Sequence, residues 1–265
     1  MRRLIAFPCA GETLVGTLDE APGATGLLIV SGGNEIRCGA HRGMALLAQR
    51  LAEAGHPVFR FDRRGIGDST GENRGFEHSI EDLAAATATF AAETPGLRRI
   101  VAFGNCDAAT ALALFHGAAG IDALVLANPW VVEDEDDLPP AAAIRARYAA
   151  RLRDPGQWRR LLTGGVDIRS LFKGLLKLLK NRSENRPALA TRMAEALAAG
   201  DTPLTLLLAK GDNTAIAFRH AWRAHAFGPI RARAQIDEYD TASHSFAHAA
   251  DKAWLRDRLL TALAV

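Results

Sequence analysis

Cys106 stands in Gly104-Asn105-Cys106-Asp107-Ala108, where a strand-like run, Ile100 to Phe103, meets a helix-like run, Asp107 to Phe115. This is small-x-nucleophile-x-small spacing, the pattern of a nucleophile elbow with Cys in the usual Ser position. The chemistry of a Cys there is nucleophilic attack on an acyl carbonyl. The small residues have a steric reason. The turn is so tight that side chains two before and two after the nucleophile would meet neighbouring backbone. The turn lifts the nucleophile above the sheet and places it at a helix N-terminus, whose positive end favours a thiolate.

Such a nucleophile needs a base and an orienting acid, and the strands must deliver them. In an open parallel sheet, ligands bind at the carboxyl ends of strands. Polar residues just after each strand-like run are therefore the candidates. Gly32, Gly33 and Asn34 follow LLIVSG, Asp212 follows PLTLLLAKG, and His244 follows RAQIDEYDTAS in a short Ser-rich loop. His244 would take and return the proton, and Asp212 would hold the imidazole tautomer. Backbone N–H groups of Asp107 and of the Gly33/Asn34 turn would receive the oxyanion. Asp237 and Asp240 are rival acids but lie within or at the end of a strand. His41, His220, His225 and His248 read as helix-surface residues, and His56 precedes a strand. Arg37, His41 and Arg42 lie near the oxyanion turn and are candidates for a substrate carboxylate or phosphate. Their alternative is an ordinary loop and helix start.

The elements that carry these residues alternate. RLIAF and ETLVGTL read as an antiparallel opening pair, followed by LLIVSG, a helix over 40–55, PVFRFD, a helix over 76–93, RIVAFGN, the helix after Cys106, and DALVLAN. The 40–55 helix is expected to bury Leu46, Leu47, Leu51 and Ala54. The 76–93 helix has a start-like Ser79/Asp82 pair. The succession predicts an α/β fold: a mostly parallel sheet of about eight strands with helices on both faces. The alternation breaks after Asn128-Pro129, where an acidic run and Pro139-Pro140 lead into a helix-rich stretch to about Gly200. The organisation expected is a core of 1–128 and 201–265 with a helical cap over 129–200. The last strand, RAQIDEYD, and a helix over about 248–263 complete the set.

Charge is uneven. Residues 139–200 hold thirteen Lys/Arg and four Asp/Glu in a chain of formal net charge +2. A basic segment on an acidic body points to an anionic partner or substrate. Within it, 167–181 is a basic amphipathic helix: Ile168, Leu171, Phe172, Leu175, Leu176 and Leu179 share one face, and Arg169, Lys173, Lys177 and Lys180 the other. It suits packing on the core, or contact with anionic lipid or an acyl carrier. Nucleic acid is not expected, since the basic residues carry few interleaved aromatics and no reading motif. Cys9, Cys38 and Cys106 are odd in number and lack metal-ligand spacing, so reduced thiols and no metal site are expected. No phosphate-cradling loop or dinucleotide fingerprint is present, so no cofactor is expected. The N-terminus reads as a strand and no apolar run reaches spanning length, which makes the cytoplasm the expected location.

The nucleophile–acid–histidine order is that of α/β-hydrolase triads. Over essentially its full length the chain resembles the α/β-hydrolase superfamily. FRFDRRGIGDSTGE, residues 59–72, is similar to the Asp-x-Arg-Gly-x-Gly-x-Ser segment common there, carried by Asp62, Arg64, Gly65, Gly67 and Ser69. Its role reads as structural, with Asp62 and Arg64 holding the loop. Ala108 replaces the Gly usual in the superfamily elbow, a departure that Ala satisfies sterically. VSGGNEIRCGAHRGMALLAQRLAEAGHPVFRFD, together with the GNCDAA elbow, resembles the exosortase A system-associated hydrolases, which accompany exopolysaccharide and protein-sorting gene sets in Gram-negative bacteria. The resemblance implies a cytoplasmic hydrolase or acyl-transfer enzyme. A Cys-His-Asp triad on this fold is also chemically similar to dienelactone hydrolases, which lack a large basic cap. The expected activity is cofactor-independent acyl hydrolysis on a small-molecule or lipid-like acyl substrate. Acyl transfer through the same acyl-cysteine, and a non-catalytic binding role, are the alternatives.

Overall fold

The structure, a computed structural model, describes residues 1–132 and 188–264. Eight strands form one sheet in the order β1-β2-β4-β3-β5-β6-β7-β8. They are β1 (Arg2–Cys9), β2 (Glu12–Asp19), β3 (Thr25–Val30), β4 (Val58–Phe61), β5 (Arg99–Asn105), β6 (Ala123–Ala127), β7 (Leu204–Ala209) and β8 (Gln235–Tyr239). β2 pairs antiparallel with β1 and β4, and every pairing from β4 to β8 is parallel. This is the α/β-hydrolase fold.

The central strands are predominantly apolar because both faces are covered. Successive side chains point to opposite faces, and the two cores follow that parity. Leu28, Ala102, Leu124 and Leu206 belong to one, together with helices α2 (Ile80–Glu93), α3 (Asp107–Ala119) and Leu189–Ala198. Leu27, Val101, Val125 and Leu207 belong to the other, under α1 (Gly43–Glu53) and the C-terminal helix Ala249–Leu263.

Four expectations need correction. Leu46 and Ala54 do not face the core. Leu46 is 41% exposed, and α1 buries Ala45, Leu47, Ala48 and Leu51 instead. α1 also starts three residues later than expected, because His41 and Arg42 adopt left-handed backbone (φ 49° and 59°) that cannot continue a helix. The helix expected from 76 is broken into a turn at Phe76–His78 and α2. Ser79 does stand at the N-cap of α2, but its hydroxyl donates back to the Phe76 carbonyl at 2.6 Å. Finally, the C-terminal end of the expected cap is core. Helix Leu189–Ala198 packs on α3 and buries Leu189, Met193, Ala194 and Leu197. The remainder of that segment, including the basic helix 167–181, lies outside the described residues. Among the described residues no helix is long and apolar enough to cross a membrane.

Candidate active site

The elbow has the geometry its spacing predicts. Cys106 sits between β5 and α3 with φ 62° and ψ −127°, a backbone region costing a non-glycine residue about 1–3 kcal/mol. The surroundings impose it. The Cys106 N–H donates to the Ala127 carbonyl at 3.0 Å, and the Cys106 carbonyl accepts from the Thr110 N–H at 3.3 Å and the Trp130 N–H at 3.2 Å. A Cβ on Gly104 would lie 2.8 Å from the Ala108 carbonyl carbon and 2.9 Å from the Ala109 nitrogen. Ala108 is fully buried, so its methyl fills the space available. The small positions of the motif are therefore packing requirements of strand against helix.

Asp212 and His244 come from the next two strand ends. Asp212 caps helix Asn213–Ala221, one carboxylate oxygen accepting from the Ala215 N–H at 3.0 Å. The other faces His244 Nδ1 at 3.1 Å. One buried carboxylate thus satisfies an orphan helix donor and orients the imidazole. The two loops touch directly. Gly211 donates to the Thr241 carbonyl at 2.9 Å, and a Cβ there would lie 3.1 Å from Ala242. Behind His244, Phe246 and Tyr239 each stack on Trp254 of the C-terminal helix, with centroids 5.5 and 5.0 Å apart. With Nδ1 committed to Asp212, Nε2 is the ring nitrogen left for Cys106, which lines the same cavity. Hydrogen bonds first to Asp212 and then to Cys106 outweigh partial burial and raise the His244 pKa to about 10. The imidazole is thereby a cation at neutral pH, held between two groups that are anionic when deprotonated.

The oxyanion turn differs from expectation. The Gly33 N–H donates to the Asp107 carboxylate at 2.7 Å, so it is already engaged. The Gly33 carbonyl accepts from Arg63 at 2.6 Å, and Arg63 also lies 3.7 Å from Asp107. Asn34 lies outside the cavity lining, its side-chain carbonyl accepting from Asn73 at 2.9 Å. The residue pressed against the elbow is Gly32, where a Cβ would lie 2.6 Å from the Asp107 carboxylate and 2.8 Å from the Asn105 carbonyl. Asp107 remains directly after the nucleophile, at the first turn of α3, where backbone N–H groups have no helical partner.

Arg37, His41 and Arg42 do not face this site. Arg37 is drawn to Asp62 and Asp68: its backbone N–H and guanidinium both donate to Asp62, its Nη2 reaches Asp68 at 2.8 Å and its Nε donates to Thr17 at 3.1 Å. All three guanidinium nitrogens are thus engaged within the protein. His41 and Arg42 are exposed ahead of α1 and line no part of the cavity. The 59–72 segment is structural, as its motif implies, though Asp62 and Arg64 act separately. Asp62 gathers Arg37 and the Asp68 N–H, while Arg64 pairs with Asp82 and with Glu81 at 2.8 Å.

One positioning residue carries no motif. Asn128, fully buried with φ 40°, follows β6. Its amide donates to the His244 carbonyl at 2.9 Å and to the Asn105 side chain at 3.3 Å, and accepts from the Ala209 N–H at 2.9 Å. It links the residue before the nucleophile, the strand leading to the acid, and the histidine itself. The only hint in sequence is a polar residue closing an apolar strand, DALVLAN.

Cys106 and His244 open on a cavity of about 230 Å³. Among the described residues no cluster of three or more His, Cys, Asp or Glu is arranged to hold a metal ion.

Comparison with known proteins places the fold. Residues 26–173 match the family described as Serine aminopeptidase, S33. The structure is similar to an esterase of Pyrococcus furiosus, Pf2001, at 14% identity and TM-score 0.64, over 98% of this chain and 92% of that one. It is similar to the α/β hydrolase GrgF from Penicillium sp. sh18 at 19% identity and TM-score 0.63, over 98% and 96% of the two chains. It is also similar to the thioesterase domain from the curacin biosynthetic pathway at 15% identity and TM-score 0.59, over 98% and 99%. At these identities the likeness is one of fold. No curated protein sequence matches the chain.

Proposed function

Because the chain belongs to the serine aminopeptidase S33 family of α/β hydrolases, we propose that it is an acyl hydrolase of esterase or thioesterase type that works through an acyl-cysteine on Cys106. The family is usually serine-based, so the cysteine is the particular feature of this chain. The observation that carries the reading is a single imidazole hydrogen-bonded to Asp212 at 3.1 Å that lines one cavity together with Cys106.

The steps follow from that arrangement. The proton shared by Cys106 and His244 rests on the imidazole, and the imidazolium beside the sulfur favours the thiolate. Sγ attacks the acyl carbon, and the carbonyl π pair moves onto oxygen, against the Asp107 N–H. Collapse breaks the bond to the leaving alkoxide or thiolate, which receives the proton from His244 Nε2. The product is an acyl thioester on Cys106. Water then gives a proton to His244 and adds to the thioester carbon. The second collapse expels the Cys106 sulfur, and the carboxylic acid leaves.

Acyl transfer is the second reading, favoured by the sulfur: a thioester is open to attack by amines, alcohols or thiols as well as water. The resemblance of the GNCDAA elbow and the 30–62 segment to exosortase A system-associated hydrolases supports a substrate made alongside exopolysaccharide, handled in the cytoplasm. The anionic-partner reading now rests on the basic segment 139–200 alone, since Arg37 is taken up elsewhere.

Intact mass after mixing with acyl p-nitrophenyl esters and acyl thioesters tests the proposal. The expected result is an acyl adduct on wild type that is absent in Cys106→Ala. Faster decay of the adduct with added alcohol or amine than in water identifies a transferase. Ligand binding without adduct or turnover, unchanged in Cys106→Ala, identifies a binding protein and sinks the hydrolase reading.

A further inference from the structure

We propose that the cavity beside Cys106 is a pocket for the neutral acyl chain of a medium-length acyl ester or thioester. This rests on the assignment of Cys106 as nucleophile. The cavity runs from an exposed mouth at Gly33 and Glu35, past Cys106 and His244, to walls of Val30, Met44, Phe103, Phe246 and Leu255. Of those walls only Met44 is not fully buried, so the inner end lies within the core beneath α1 and the C-terminal helix. It is therefore an apolar slot that begins at the reacting sulfur.

Charge restricts the occupant. Among the described residues neither Lys nor Arg lines the cavity, and the one carboxylate, Glu35, stands at the mouth. A chain ending in a carboxylate or phosphate would carry that charge beyond His244 to walls of Val30, Phe103, Phe246 and Leu255 that offer it no partner, and would pass Glu35 on the way in, which is strongly unfavourable. A neutral hydrocarbon meets no such barrier. Size restricts it further. A cavity of 150 Å³ holds benzene, so about 230 Å³ accommodates about eight or nine heavy atoms. An octanoyl group is of that size. Each methylene buried on the way is worth about fourfold in binding.

Two measurements test the pocket. In the first, kcat/KM is followed over p-nitrophenyl esters from acetyl to dodecanoyl. Wild type should rise by up to about fourfold per methylene and break near eight carbons. Met44→Trp, which narrows the slot from its least buried wall, should move the break to a chain several carbons shorter. A profile that is flat, or the same in both proteins, overturns the pocket. The second measurement does not need turnover. In Cys106→Ala with labelled methionine methyls, octanamide should shift the Met44 resonance and leave that of the distant, buried Met193 in place, while suberate, a dianion of similar length, should shift neither. An unmoved Met44 resonance at saturating octanamide overturns the pocket whatever the turnover. A Met44 shift without any acyl adduct supports the pocket and instead removes the assignment of Cys106.

Discussion

Two charged clusters sit at strand ends of the same sheet and differ in what they leave unsatisfied. At the end of β4, Asp62 is 0% exposed and receives the Arg37 N–H, the Arg37 guanidinium and the Asp68 N–H. Its valences are filled by the protein, and a Cβ on Gly67 would collide with it. At the ends of β5, β7 and β8, Asp212 holds His244, but the His244 side chain is 40% exposed and lines a cavity together with Cys106. Both clusters pair opposite charges at short range. Only the second keeps a reactive atom facing free space. A charged residue near a strand end therefore indicates function only when its partners stop short of filling its capacity.

Variants in each cluster sharpen this contrast. Cys106→Ala should remove at least about 1,000-fold of kcat, the usual scale for loss of a nucleophile, with little change in the urea midpoint. Unfolding curves and single-turnover assays check this together, and an active Cys106→Ala would put the chemistry elsewhere. Asp62→Ala should do the reverse. It leaves Arg37 nearly buried without its main partner, at a cost of about 3–5 kcal/mol read from urea unfolding. A residual folded fraction should still acylate Cys106.

Asp212→Asn should lower the His244 pKa from about 10 toward the ordinary value of about 6.5, followed by NMR of the ring. The raised value also has a sign for stability. A folded-state pKa above the unfolded one stabilises fully below about pH 6.5, and that contribution is lost as pH rises through about 10. Wild type should therefore lose more Tm than Asp212→Asn between those limits. Equal slopes would mean that the carboxylate does not hold the imidazolium. The smallest effect is expected at Asn128. Asn128→Ala should reduce kcat about tenfold with KM nearly unchanged, through misplacement of His244. Asn128→Gly, which suits the positive φ but also lacks the amide, should match Ala if the hydrogen bonds matter. It should match wild type if only the backbone does.

Sequence reading followed local rules well. The alternation of apolar runs with helical spacing foretold the parallel sheet and its helices, because a strand buried on both faces must be continuously apolar. The elbow was legible since its tightness acts within five residues, and the close contacts at Gly104 and Ala108 are with the adjoining helix itself. Leu46 misled because apolar spacing alone gives two overlapping faces on a short helix, and the sheet selects one. Arg37 misled because its nearness in sequence to the oxyanion turn says nothing about the direction of a long side chain.

What the sequence by itself determined is the order of strand ends and the residue types standing on them: Cys106 and Asp212 after apolar runs, and His244 in the loop after the last strand. What only the tertiary structure decided is which valences remain free. Arg37 is withdrawn by Asp62, 25 positions away, the Gly33 N–H by Asp107, 74 positions away, and the His244 carbonyl is held by Asn128, 116 positions away. A hydrogen bond is satisfied by proximity in space, and its partner at such separations is set by how the strands stack, not by any spacing along the chain.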